Sequence, residues 1–239
     1  MEWRRAKTIL ILTFLVLNVL LGYQLWVNTN LADNVFERAQ LREETLDKLR
    51  SKGIELNAEV PGETPKLQEI TVHFAPSDIR TEPQTLNRSI EVEDVTKKRV
   101  IKKIAEQIPD FESYAFDPVL SGESELVYHQ LYEGWPMFEV DLRLLHDGKK
   151  LNAYTMKYAS VEDHTEEEEQ PVLSAYKAIS VLADNVLDDG HVIAHIQLGY
   201  HGQVYSSSTQ VLAPKWRVAL ENGEIYYVHA MSGAIEKKE

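Results

Sequence analysis

The sequence predicts an α+β protein: a single N-terminal transmembrane helix, then an extracytoplasmic body of two similar lobes, each a curved antiparallel sheet carrying one helix. Three observations predict it. Thr8 to Val27 runs for twenty residues without a charge, a helix-period segment followed by strand-period segments occurs twice beyond residue 93, and the charges lie unevenly about the apolar run. The 239 residues include 38 acidic and 25 basic side chains, are 44% hydrophobic and contain no cysteine. The missing cysteine excludes disulfides, thiolate nucleophiles and cysteine-ligated zinc. The acidic balance argues against nucleic acid as a partner, because affinity for a phosphate backbone comes largely from Lys and Arg displacing counterions.

Residues 8–27, TILILTFLVLNVLLGYQLWV, form the first element. At a rise of about 1.5 Å per residue they span roughly 30 Å, the thickness of a bilayer's hydrocarbon core. Arg4, Arg5 and Lys7 precede the run, and the first charges after it are Asp33 and Glu37. The positive-inside rule therefore predicts a cytoplasmic tail at 1–7 and an external C-terminal domain. A cleaved signal peptide shares the basic start, but the bulky stretch around Tyr23, Leu25 and Trp26 suits signal peptidase poorly. Without Glu2, Arg4, Arg5 and Lys7 the remainder carries 22 basic and 37 acidic side chains, a net of −15. Such a body repels anionic surfaces at long range.

Asn18 lies near the middle of the span, where its amide lacks water and favours a second helix as hydrogen-bond partner. Gly22 follows one turn later on the same face and permits close backbone approach. With Leu21 and Leu25 they form a candidate helix–helix contact, although single Asn and Gly residues are also tolerated in anchors that bind nothing. Residues 28–52 contain neither Pro nor Gly and predict a juxtamembrane helix ending at Gly53, suited to a left-handed cap. Alternate spacings of three and four give a seam that includes Val35, Ala39, Leu46 and Leu49. The same pattern fits a helix lying on its own domain. Pro61, Gly62 and Pro65 then break the chain, and 53–92 reads as an irregular connection, with a short strand near Ile70 and Val72 and with Ala75 to Ser89 as turn and loop.

The first lobe is placed at 93–162 and the second at 163–239. In the first, DVTKKRVIKKIAEQI puts Val95, Val100, Ile101, Ile104, Ala105 and Ile108 on one helical face, and Pro109 stops the helix. Strand patterns follow from Glu125, and Asp147-Gly148 marks a hairpin. In the second, Pro171 reads as a helix start ahead of the stripe Val172, Ala175, Ala178, Ile179 and Leu182. HVIAHIQLGY, KWRVAL and EIYYVHAM then read as strands, with Asn222-Gly223 as a turn. Trp135-Pro136 ahead of Asp147-Gly148 parallels Pro214 and Trp216 ahead of Asn222-Gly223, which suggests duplication.

The segments MEWRRAKTILILTFLVLNVLLGYQLW, KGIEL, VPGETPKL and KWRVALENGEIYYVHAMSGAIE resemble the YycI family of membrane-anchored regulators, relatives of YycH. The resemblance runs over essentially the whole chain and is carried by hydrophobic and turn patterns. It implies a partner of the WalK (YycG) sensor histidine kinase of low-GC Gram-positive bacteria, acting with YycH outside the cell and through membrane helices in cell-wall homeostasis. The C-terminal end is also similar to PepSY modules at Trp216, Gly223, Gly233 and Ile235, a likeness of fold and not of activity.

No catalytic or metal signature stands against that reading. His191 and His195 flank Val192, Ile193 and Ala194, but Gly190 and β-branched neighbours favour a strand, which separates such rings by about 13 Å. The run Glu166 to Glu169 reads as a solvated loop. No phosphate loop, nucleophile elbow or dinucleotide-binding glycine pattern is present, and no cofactor is expected. The expectation is a non-enzymatic membrane-bound regulator. A ligand-sensing module and a tethered cell-wall enzyme are the alternatives.

Overall fold

In a computed structural model of the chain, residues 2–75, 79–92, 98–162, 168–202 and 208–238 are described. Within the first helix the side chains of 2, 4–6, 8, 9, 11 and 22–36 are outside that description. The contacts divide the chain into two compact units, 1–48 and 49–239.

Helix α1, Glu2–Ser51, is one continuous helix. Its described apolar side chains are bare: Leu10, Leu12, Phe14, Leu17 and Leu20 are each about half exposed or more. Among the described residues, no helix is long and apolar enough to cross a membrane, and the expected span Thr8–Val27 runs past Leu21 into side chains outside the description. The helix ends as the sequence predicts. Gly53 takes a φ of 67°, and the Ile54 amide donates to the Leu49 carbonyl at 2.9 Å, closing the last turn.

The body is an α+β structure dominated by one large twisted sheet. After α1 come β1 (Glu55–Leu56), β2 (Lys66–Leu67), β3 (Ile70–His73) and β4 (Ile79–Glu91). Helix α2 (Lys98–Ala105) leads through a 3₁₀ turn at Phe111–Ser113 into β5 (Tyr114–Asp117), β6 (Glu125–Tyr132), β7 (Trp135–His146) and β8 (Lys150–Lys157). The strands lie in the order β5-β6-β7-β8-β4, all antiparallel. Val100 and Ile104 of α2 are buried against this sheet with Leu142, Leu144 and Leu151. The apolar stripe therefore does what its period predicts, with Lys102 and Lys103 on the exposed side.

Strands β9 (Ser160–Glu162) and β10 (Gln170–Pro171) precede helix α3 (Ala175–Asn185). An antiparallel meander follows, β11 (Val192–His201), β12 (Thr209–Leu220), β13 (Ile225–His229) and β14 (Ile235–Lys237). Ala178, Ile179 and Leu182 of α3 are buried with Ile196, Trp216 and Val228, and Leu49 and Ile54 belong to the same core. The Trp216 indole N–H donates to the Leu173 carbonyl at 2.8 Å, satisfying the polar edge of a fully buried ring. The two halves of the large sheet join through β3, which pairs with both β12 and β9, and where β11 runs parallel to β7, with Tyr200 opposite Met137. There β7 has two neighbours along one edge, β11 beside Met137 and β8 from Leu142 to His146.

Both predicted glycine turns are present, with Gly148 and Gly223 at φ near +86° and +89°. A third, Glu133-Gly134 between β6 and β7, has positive φ at both residues. Two readings are corrected. Ala75 to Ser89, expected as turn and loop, lies from Ile79 onward in the long strand β4, whose exposed polar side chains and Pro83 suit an edge strand. Pro171 does not start a helix. It lies in β10, paired with Lys66, and α3 begins after Ser174, whose hydroxyl accepts from the Lys177 amide. The first-lobe helix begins at Lys98 in the description, and Val95 lies outside the described residues.

Candidate functional site

Two regions could carry function: helix α1, and a charged seam buried between the two halves of the body. On α1, Asn18 and Leu21 are exposed, whereas the side chains of Gly22, Leu25 and Val35 lie outside the description. Ala39 is exposed, Leu46 half-buried, and Leu49 only 2% exposed within the body's own core. Leu49, the last residue of the predicted seam, is thus part of the body's own core.

The seam is built from β5, β6 and β12. Asp117 closes β5, where its Oδ1 accepts from the amides of Val119 (2.8 Å) and Leu120 (3.4 Å), so the turn after the strand fixes the carboxylate. Arg217 of β12 reaches it with both terminal nitrogens, Nη1 to Oδ2 at 2.5 Å and Nη2 to Oδ1 at 3.0 Å. His129 of β6 approaches Oδ2 with Nε2 at 2.7 Å. Gln197 of β11 accepts a further bond from Arg217 Nη2 at 3.0 Å, and the Phe138 ring lies 4.4 Å from the guanidinium carbon. Asp117, His129 and Arg217 are all essentially buried.

Burial alone would raise the Asp117 carboxyl pKa. Hydrogen bonds from His129 and Arg217, with the Arg217 charge, outweigh it and hold the group well below the usual carboxylate range. The carboxylate is thus ionised at neutral pH with both oxygens occupied. It is unsuited to act as a general base, which needs a pKa near the working pH and a free lone pair. Nearby, burial and the Arg217 charge lower the pKa of His195. The cluster joins the α2 half of the body to the α3 half, with both carboxylate oxygens already engaged.

A second group lies along the same border. His201 of β11 stacks on Tyr227 with centroids 3.6 Å apart, and its Nδ1 lies 2.6 Å from Glu139 of β7. Lys215 bonds Glu236 of β14 at 2.6 Å. Further along β7, Asp141 holds Arg143 at 2.6 Å and Lys157 at 3.1 Å, and Arg143 also bonds Glu125 at 2.8 Å. None of these charged residues, nor His201, was selected from the sequence, although Tyr227 reads there as a core or sheet-face residue. The available signal was that charges recur at alternate positions of β7 (Glu139, Asp141, Arg143) and β12 (Lys215, Arg217), within strands too apolar to be solvated on both sides.

His73 of β3 stands between Thr209 Oγ1 (2.9 Å) and Glu162 Oε2 (3.0 Å), the one hydroxyl–imidazole–carboxylate line among the described hydrogen bonds. The His73 and Glu162 side chains are 42% and 53% exposed, so water is not excluded and the line is a cross-strand contact on an open face. His191 lies just before β11 and accepts from the Asp188 amide through Nδ1, while His195 lies within the strand as predicted. Among the described residues no group of three metal-ligating side chains occurs.

The model of a family described as YycI protein matches residues 34–231. No curated protein matches the chain. A similar solved structure is that of an uncharacterized protein from Eubacterium rectale, 11% identical, covering 65% of this chain and 46% of that one with a TM-score of 0.29. The chain spans less than half of that protein's length, and a likeness at this score carries no structural argument.

Proposed function

The chain belongs to the YycI family, and from that premise we propose that it is a membrane-anchored, non-enzymatic regulator of the WalK (YycG) sensor histidine kinase. Membership of this regulatory family implies a role in the YycG/WalK two-component system. The proposal adds that the chain acts together with YycH, through transmembrane and extracytoplasmic contacts, with its N-terminus in the cytoplasm and its body outside. It also reads the two halves, each a helix followed by a meander with glycine turns, as a duplicated unit with a PepSY-like end.

One observation carries the membrane reading. In α1 the side chains from Leu12 to Leu21 are exposed and, Thr13 and Asn18 apart, apolar, a composition that water disfavours and lipid accepts. Regulation then needs only differential affinity. If the helix packs better against one kinase state, about 1.4 kcal/mol of preference changes the ratio of states tenfold. An interhelical hydrogen bond from Asn18, of about 1 kcal/mol, supplies most of this.

The test is site-specific crosslinking in intact membranes from Ile11 to Trp26, together with co-purification of Asn18→Leu and Gly22→Leu variants with the kinase. Crosslinks recurring every three to four positions on the Asn18 face, and roughly fivefold weaker association of Asn18→Leu, are expected. Unchanged association and signalling in both variants would remove this face from the mechanism.

A further inference from the structure

The ladder between β4 and β8 breaks between Thr85 and Ile90. Residues 86–89 are thereby freed from pairing, and Gln107, just beyond α2, captures them. Its Oε1 accepts from the Arg88 amide at 2.7 Å and its Nε2 donates to the Arg88 carbonyl at 3.0 Å. The bulge is held beside the helix, and a groove of about 560 Å³ opens between them, lined by Asn87, Arg88, Ser89, Lys103 and Glu106, with Ile90 at its floor. Its two cations and one carboxylate are exposed, and among the described residues none of the three side chains makes an ion pair, although Lys103 and Glu106 are spaced to pair on a helix. Five of the body's 22 basic residues fall within 97–103, in a domain whose net charge is −15.

We propose that this groove binds a phosphodiester bearing free hydroxyl groups, of the glycerol phosphate type. Arg88 and Lys103 hold the phosphodiester oxygens, the Arg through its fork and the Lys as a point charge. Glu106 accepts from the ligand's hydroxyls, and the Asn87 amide and Ser89 hydroxyl complete the polar wall. The carboxylate sets the selectivity: it repels a bare phosphate and rewards an anion that presents a hydroxyl beside its charge. The Gln107 clamp prepays the ordering of the bulge.

Phosphodiesters of this kind occur as soluble polymers and as lipid headgroups, and the test separates them. The full chain in phosphatidylcholine nanodiscs is titrated by calorimetry with glycerophosphoglycerol and with inorganic phosphate. Hydrogen exchange is followed at 86–90 and 102–107, also in nanodiscs containing phosphatidylglycerol. Saturable binding of glycerophosphoglycerol, at least about fivefold tighter than phosphate and with protection of both segments, is expected. Arg88→Gln and Lys103→Gln each weaken it about tenfold. Glu106→Ala removes the preference over phosphate without weakening phosphate itself. Protection in phosphatidylglycerol discs before titration assigns the ligand to the headgroup, and protection only by the soluble compound assigns it to a polymer. Equal affinity for phosphate, binding indifferent to Arg88→Gln and Lys103→Gln, or no binding with no protection in either disc would each overturn the proposal. Kinase association is a separate readout, so failure here leaves the regulatory reading standing.

Discussion

Arg217 is the residue whose environment departs furthest from what its neighbours suggest. Trp216 and Val218 identify one buried face of β12, which assigns Arg217 to the opposite face, and on an isolated sheet that face would be solvent. The other half of the sheet covers it, so the guanidinium is buried and depends on Asp117 from a strand 100 residues away. No local pattern encodes such a pairing: the alternating charges of β7 and β12 mark positions on a face, not the partners that meet there. Removing one partner leaves the other charge uncompensated in the interior. Asp117→Asn and Arg217→Met should each cost about 3–5 kcal/mol of unfolding free energy, and the double variant Asp117→Leu/Arg217→Met markedly less than the sum, as a denaturation double-mutant cycle will measure.

The same groups set a pH profile with two steps. The pKa of His195 is lowered in the fold, so its contribution is complete above the unfolded value near 6.5 and is lost as pH falls below it. Asp117 and Asp141 are likewise held below the usual carboxylate range, and the stability they provide, full above about pH 4, is lost as pH falls further. Urea midpoints measured between pH 7 and 3 should fall in both windows. His195→Gln should flatten the upper step and Asp141→Asn should shallow the lower one.

Among the elements, those with a strong period were legible and those defined by pairing were not. Helix α3, the meander after it, the glycine turns and the end of α1 follow from apolar spacing and from Gly53, Gly148 and Gly223. Strand β4 has no alternating apolar face: only Leu86 and Ile90 are buried in a thirteen-residue strand, so its existence rests on the ladder that β8 offers. The junction of β7 with β11 is equally silent in sequence, yet Gly199 marks it. A Cβ there would lie 2.5 Å from the Pro136 carbonyl and 2.7 Å from the Phe138 ring. Gly199→Ala should therefore destabilise the body by about 1–3 kcal/mol, and hydrogen exchange should locate the loss of protection at Tyr200 and Met137.

For the body as a unit, the sequence described two lobes, and the residues 49–239 form one compact unit. Each half has its own helix and core, but Asp117–Arg217 and His201–Glu139 cross the border, and β7 contributes to both. Unfolding of the body should accordingly be a single cooperative transition, with calorimetric and van't Hoff enthalpies in agreement. Two resolved transitions would show that the charged seam does not couple the halves.

Strand β7 is where that coupling has a mechanical meaning. Leu49, in the last turn of α1, and Ile54, just beyond it, are packed into the core of the α3 half. That half meets the α2 half across a border where a carboxylate and a guanidinium cannot part without stranding a charge in oil. A domain put together in this way yields little until that bond gives, and then yields all at once, the behaviour of a catch rather than a spring.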